Sequence, residues 1–151
     1  MGSAENEGEA QVIVGVADAA MYMFSAAIES LPETEDPEFG DRAGVVLAGL
    51  RKLESSLTQA AARSRVTPAV VVSLSGARKA YDALMERAAN GPGSTLGQRL
   101  YVARKRAKLT AQEAANGAGL RADLIEAIES EEPTTEAETG KIKDLIAALG
   151  G

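Results

Sequence analysis

The run LTAQEAANGAGLRADLIEAIESEE, Leu109 to Glu132, leaves the backbone few choices. Thr110 followed by Glu113 is the capping-box signature of a helix start. The segment GAGL supplies a turn, and Gly119 can take the left-handed conformation such a turn needs. Leu124, Ile125 and Ile128 then return at helical spacing. The run therefore predicts a helix, a tight turn and a second helix. What packs around it follows from composition: the chain is 45% hydrophobic but only 3% aromatic, with no Trp. A core of Ala, Val, Leu and Ile suits close-packed helices, so the expected class is all-α.

The same periodicity organises the rest of the 151 residues. Residues 1–10 are polar and acidic and read as a disordered tail. Residues 11–89 read as a helical N-terminal region. Its first helix spans Gln11 to Ser30, with Val12, Val16, Met23 and Ile28 on its apolar face. Its second spans Arg42 to Ser64 with Val46, Leu50, Leu53 and Leu57 inward. Its third is capped by Thr67, opened by Pro68, and lined by Val70, Val71, Leu74, Ala77, Tyr81 and Leu84. Residues 90–95, NGPGST, read as a linker. Residues 96–151 read as a C-terminal domain with Leu96, Leu100, Ala103, Ile142, Leu145, Ile146 and Leu149 inward.

Chemistry is bounded by what is missing. The chain has no Cys and no His. That leaves no thiolate or imidazole metal site and no Cys or His nucleophilic dyad. No glycine-rich phosphate loop follows a strand pattern. No enzyme, metal or cofactor is expected. The apolar stretch Ala10–Ile28 is interrupted by Asp18 and preceded by acids, so a buried helix of a cytoplasmic protein is expected there, not a membrane span. The net charge is −6, but residues 1–45 carry ten acids and one base, residues 46–90 seven bases and three acids, and residues 91–151 eight bases and nine acids. A basic face beyond the N-terminal segment is compatible with that distribution.

Residues 96–150 resemble the helix-turn-helix domain of the phage-repressor Cro/XRE family. The resemblance rests on Leu100, Arg104, Leu109, Thr110, Glu113, Ala115, Gly119, Leu120, Ile125, Ile128 and Glu129, followed by Pro133 and a last helix ending in AALGG. It implies a five-helix domain in which Arg104 pairs with Glu129, a dimeric assembly, and DNA contact by the residues opening the second and third helices. Here those positions hold Ala111 and Gln112, then Arg121, Ala122, Asp123, Glu126 and Ala127. Ala cannot hydrogen-bond a base, and Asp123 repels phosphate unless it accepts from a cytosine amine. The bases gather instead in RLYVARKRAK. Arg99, Lys105, Arg106 and Lys108, with Gln112 and Arg121, form a set that holds phosphates without reading sequence.

Two further features bear on partners. LTQAAARSRVTPAVVVSLSGARK, Leu57 to Lys79, echoes the C-terminal pattern and offers a possible second basic face of Arg63, Arg65, Arg78 and Lys79. The MYMF segment, Met21 to Phe24, lies in an Ala-rich apolar stripe and is a candidate homodimer seam. The expected function is a dimeric DNA-binding transcriptional regulator of weak sequence selectivity. The alternative is a protein–protein interaction module on the same scaffold, using its acidic third helix.

Overall fold

The computed structural model describes residues 3–63 and 67–151, with side chains from Gly8 onward. The fold is all-α: α1 Ser3–Glu29, α2 Phe39–Arg63, α3 Pro68–Ala89, α4 Leu96–Arg106, α5 Ala111–Ala118, α6 Ala122–Glu129 and α7 Glu136–Ala148. Among the described residues there is no strand. The helices form two compact units, Met1–Leu84 and Met85–Gly151. Residues 90–95 connect α3 to α4 within the second.

In the first unit Ala10 and Ala17 of α1 pack with Leu57 of α2 and with Val70, Leu74 and Ala77 of α3. Small residues allow this close approach. Gly49 of α2 lies under the Phe24 ring, where an added Cβ would land 2.5 Å from Cε1. Three expectations need correcting. Helix α1 starts at Ser3, not at Gln11; acids near a helix N-terminus favour the positive end of its dipole, so an acidic start does not preclude helix. Its inward face is Ala10, Val14, Ala17 and Met21, while Val12, Val16 and Met23 are exposed, as is Val71 of α3. Nor is α1 a buried helix: only 6% of its most apolar window is buried, and Gly8–Glu29 is long and apolar enough to cross a membrane. The chain offers α1 partners on one side, and periodicity alone could not say which of its apolar stripes they cover.

The second unit holds α4 to α7 around Leu100, Ala103, Ala115, Ile125, Ile128, Ile142 and Ile146. Three of its helices begin alike. Thr95 with Gln98, Thr110 with Glu113 and Thr135 with Glu138 each close a complete capping box. Each box satisfies backbone N–H groups that a helix start leaves without partners. The turn between α5 and α6 has three residues, with Gly119 at φ 69°. Gly97 on α4 is buried where a Cβ would collide with the Ile128 carbonyl oxygen and the Glu131 carboxylate. Glu131 itself has φ 66°, and its Oε1 accepts a 2.6 Å hydrogen bond from Thr95 Oγ1. The end of α6 is thus seated directly on the start of α4.

Gly97→Ala must push against backbone and should destabilise the second unit by roughly 2 kcal/mol or more. Gly117→Ala, in α5 with open space around the new methyl, should stabilise it by about 0.5–1 kcal/mol. Chemical denaturation of both variants checks the contrast.

Candidate nucleic-acid interface

The short helices α5 and α6 bury little on their own, and one ion pair locks them to α4. Arg104 Nε donates to Glu129 Oε2 at 2.8 Å, and Nη2 donates to Oε1 at 2.7 Å. Nη1 donates to the Leu109 carbonyl at 2.9 Å. The side chains are 13% and 7% exposed. A two-pronged guanidinium–carboxylate match is the geometry that makes a shielded pair worth keeping. One side chain of α4 therefore fixes both the end of α6 and the entry to α5.

The two partners differ in how they titrate. The hydrogen bond to Glu129 raises the Arg104 pKa above its ordinary value. Burial raises that of Glu129, and outweighs the pull of Arg104. Glu113 and Glu138 are fully exposed, and the backbone and hydroxyl donors of Thr110 and Thr135 hold their carboxyls below the usual range.

Each residue expected to touch DNA is exposed, but they do not form one group. Arg99 and Arg106 border a hollow of about 150 Å³ with Val102, Ile146 and Leu149 on its floor. Arg106 also pairs with Glu86. Lys105 lies 5.6 Å from the centre of the Tyr101 ring, which Arg104 also covers at 5.4 Å. Lys108 follows α4 with φ 59°. Gln112 Nε2 donates to Asn116 Oδ1 at 2.9 Å. Arg121 is the N-cap residue of α6 and stands 3.6 Å from Asp123. Among the described residues, Arg99, Lys105 and Lys108 have no carboxylate within ion-pair distance.

The second basic face is not built as a helix-turn-helix. Leu57–Arg63 is the end of the 25-residue α2, and Pro68–Lys79 is the first half of the 22-residue α3. Arg78 is committed to Glu54 at 3.0 Å. Arg63 and Lys79 are exposed, and Arg65 lies outside the described residues. The described residues contain no group of three or more acids that could hold a metal. Sequence reasoning missed the Tyr101 platform and the left-handed Lys108. Tyr101 had a readable signal, its four-residue spacing to Lys105.

The family described as the MSMEG_6518_N N-terminal domain matches residues 24–95. An uncharacterized protein of Mycolicibacterium smegmatis (strain ATCC 700084 / mc(2)155) is 69% identical over 129 residues, which is 85% of this chain and all of the relative. The chain belongs to that protein's family. No solved structure matches. The resemblance of residues 96–150 to the Cro/XRE family is thereby corrected: the matching family is a different one, lies over residues 24–95, and no Cro/XRE family is found. Leu100, Ala115, Gly119 and Ile125 specify short helices meeting at a tight turn, and that packing is not the property of one family.

Two measurements follow. Glu129→Ala strands a buried guanidinium and should cost about 3–5 kcal/mol, whereas exposed Glu126→Ala should cost under about 1 kcal/mol; thermal melts compare them. Stability from the depressed Glu113 and Glu138 is present above the unfolded carboxyl pKa of about 4.3 and is lost as pH falls through their lower folded values. Glu129, raised by burial, has the opposite sign and cannot supply that loss. The stability of Glu113→Gln/Glu138→Gln, read by chemical denaturation, should accordingly fall less between pH 6 and 3 than that of the wild type.

Proposed function

We propose that the protein is a cytoplasmic DNA-binding regulator, not an enzyme, whose second unit grips duplex DNA chiefly through phosphates. The observation carrying this reading is the pair α5–α6: two eight-residue helices joined by a three-residue turn with a left-handed glycine. That is the form in which helix-turn-helix proteins set one helix into the major groove. The surrounding side chains support contact without sequence reading. Lys105, Lys108, Gln112 and Arg121 are exposed donors, and each phosphate neutralised releases counterions. The exposed face of α6 has Asp123 and Glu126 where base readers would stand, so affinity exceeds selectivity.

Lys108 gives the sharpest support. It holds a left-handed φ that costs a side-chain-bearing residue about 1–2 kcal/mol and that glycine adopts freely. A side-chain-bearing residue in such a conformation marks a candidate functional position. Lys108→Gly should raise the stability of the second unit by up to about 1 kcal/mol while weakening DNA binding. The second reading, a protein-interaction module, is favoured by the acidic run around α6: Asp123, Glu126, Glu131 and Glu132, all exposed.

Titration against several unrelated duplexes at graded salt separates the two. Arg121→Ala and Lys105→Ala should each weaken binding about equally on every duplex and reduce the log–log salt slope by about 1. Asp123→Gln should strengthen binding by removing a repelling acid. A wild type with no salt-dependent binding at all would sink the DNA reading and leave the acidic face of α6 as the functional surface.

A further inference from the structure

Arg99, Val102, Ala103 and Arg106 follow one another at steps of three, one and three residues, so they share one side of α4. Tyr101 and Lys105 lie on a different side of the same helix. The side with the two arginines borders the hollow of about 150 Å³, whose floor is Val102, Ala103, Ile146 and Leu149. Val102, Ala103 and Ile146 are only 7%, 6% and 4% exposed. Ala103 and Ile146 belong to the core of the second unit, so the hollow reaches down to that core. An apolar hollow of this volume takes a body about the size of benzene.

Two observations say what fits. The first is the shape of the wall. After α7 the chain folds back, with Gly150 at φ 88° and the Gly151 N–H donating to the Ile146 carbonyl at 3.0 Å. A Cβ on Gly151 would lie 3.2 Å from Ile146 Cγ2 and 3.4 Å from Ala103 Cβ. A side chain there would crowd two residues of the floor, and glycine leaves them uncovered. The second is charge. Arg106 is held by Glu86. Arg99 is exposed and, among the described residues, has no carboxylate within ion-pair distance. A guanidinium offers a rigid fork of donors that matches a carboxylate in two-pronged fashion.

We propose that this hollow binds a small carboxylate with an apolar body about the size of a benzene ring. The body rests on Val102, Ile146 and Leu149, and the carboxylate pairs with Arg99. Arg106, kept in place by Glu86, bounds the other end, seven residues and about 10 Å along α4. A bare anion would leave the apolar floor in water, and a neutral ring would leave Arg99 without its partner. Arg99 is thereby taken out of the phosphate-contacting set. The site uses a different side of α4 from Lys105, so it goes beyond the DNA reading and does not depend on it.

Benzoate is the probe, titrated into the full chain without DNA and followed by side-chain methyl shifts. It should saturate with a dissociation constant below about 1 mM, within the range open to a ligand of its size. The methyl signals of Val102, Ile146 and Leu149 should move. Arg99→Ala should weaken binding at least about tenfold, the scale of a hydrogen-bonded charge pair, with an unchanged melting temperature because Arg99 is exposed. Lys141→Ala, an exposed lysine of α7 outside the hollow, should bind benzoate as the wild type does. Benzamide, a ring without charge, and acetate, a charge without a ring, should each bind at least about tenfold more weakly than benzoate. No saturable binding of benzoate overturns the proposal, and so does benzamide binding as tightly as benzoate. Shifts that miss Val102, Ile146 and Leu149 overturn it, as does a Lys141→Ala defect as large as that of Arg99→Ala. Inorganic phosphate producing the same shifts at the same concentration overturns it in favour of a simple anion site.

Discussion

The shielded pair between Arg104 and Glu129 is the constraint on which the second unit depends. Helices α5 and α6 have eight residues each, too few to persist alone in water. Helix α5 is held by its capping box, and both are held by one guanidinium that reaches the end of α6 and the Leu109 carbonyl together. Lys108 lies between Arg104 and Leu109 in the chain, so the bond to the Leu109 carbonyl also fixes the segment that carries the left-handed lysine. An apolar pair could fill the same space, but it could not hold a backbone carbonyl and a carboxylate in one plane. The arrangement exchanges part of the pair's desolvation cost for a defined α4–α5–α6 geometry.

Much of the second unit was legible. Thr110 and Glu113 mark a helix start in the sequence and are closed by the bonds their spacing implies; the same spacing at Thr95–Gln98 and Thr135–Glu138 went unread. Leu100, Ile125, Ile128, Ile142 and Ile146 are buried as their periodicity requires. The Arg104–Glu129 contact was implied by a family resemblance, and the matching family proved to be another one. The contact is nonetheless present, because it solves a packing problem that short helices share. Left-handed Lys108 and Glu131 were not legible, since nothing in a lysine or glutamate announces a positive φ.

The first unit shows where periodicity runs out. With valine, methionine and alanine on two stripes of α1, hydrophobic spacing identifies a helix but not the stripe its own chain covers. Val12, Val16 and Met23 satisfy the pattern as well as Val14, Ala17 and Met21 do. The phasing is decided by Phe24 fitting over Gly49 and by Ala17 meeting Leu57 and Val70, contacts far apart in sequence. The basic residues behave likewise: Arg78 looks free in the sequence and is bound to Glu54 in the fold, while Lys105 looks solvated and lies over Tyr101.

We propose that the α4–α6 assembly contacts phosphate through Lys105, Lys108, Gln112 and Arg121. Backbone amide chemical-shift mapping of the full chain, titrated with a random-sequence duplex at low salt, tests that proposal. Shifts should concentrate at these four residues and fade together as salt rises. Shifts confined to the first unit, or none at these four residues while DNA is bound, would contradict it.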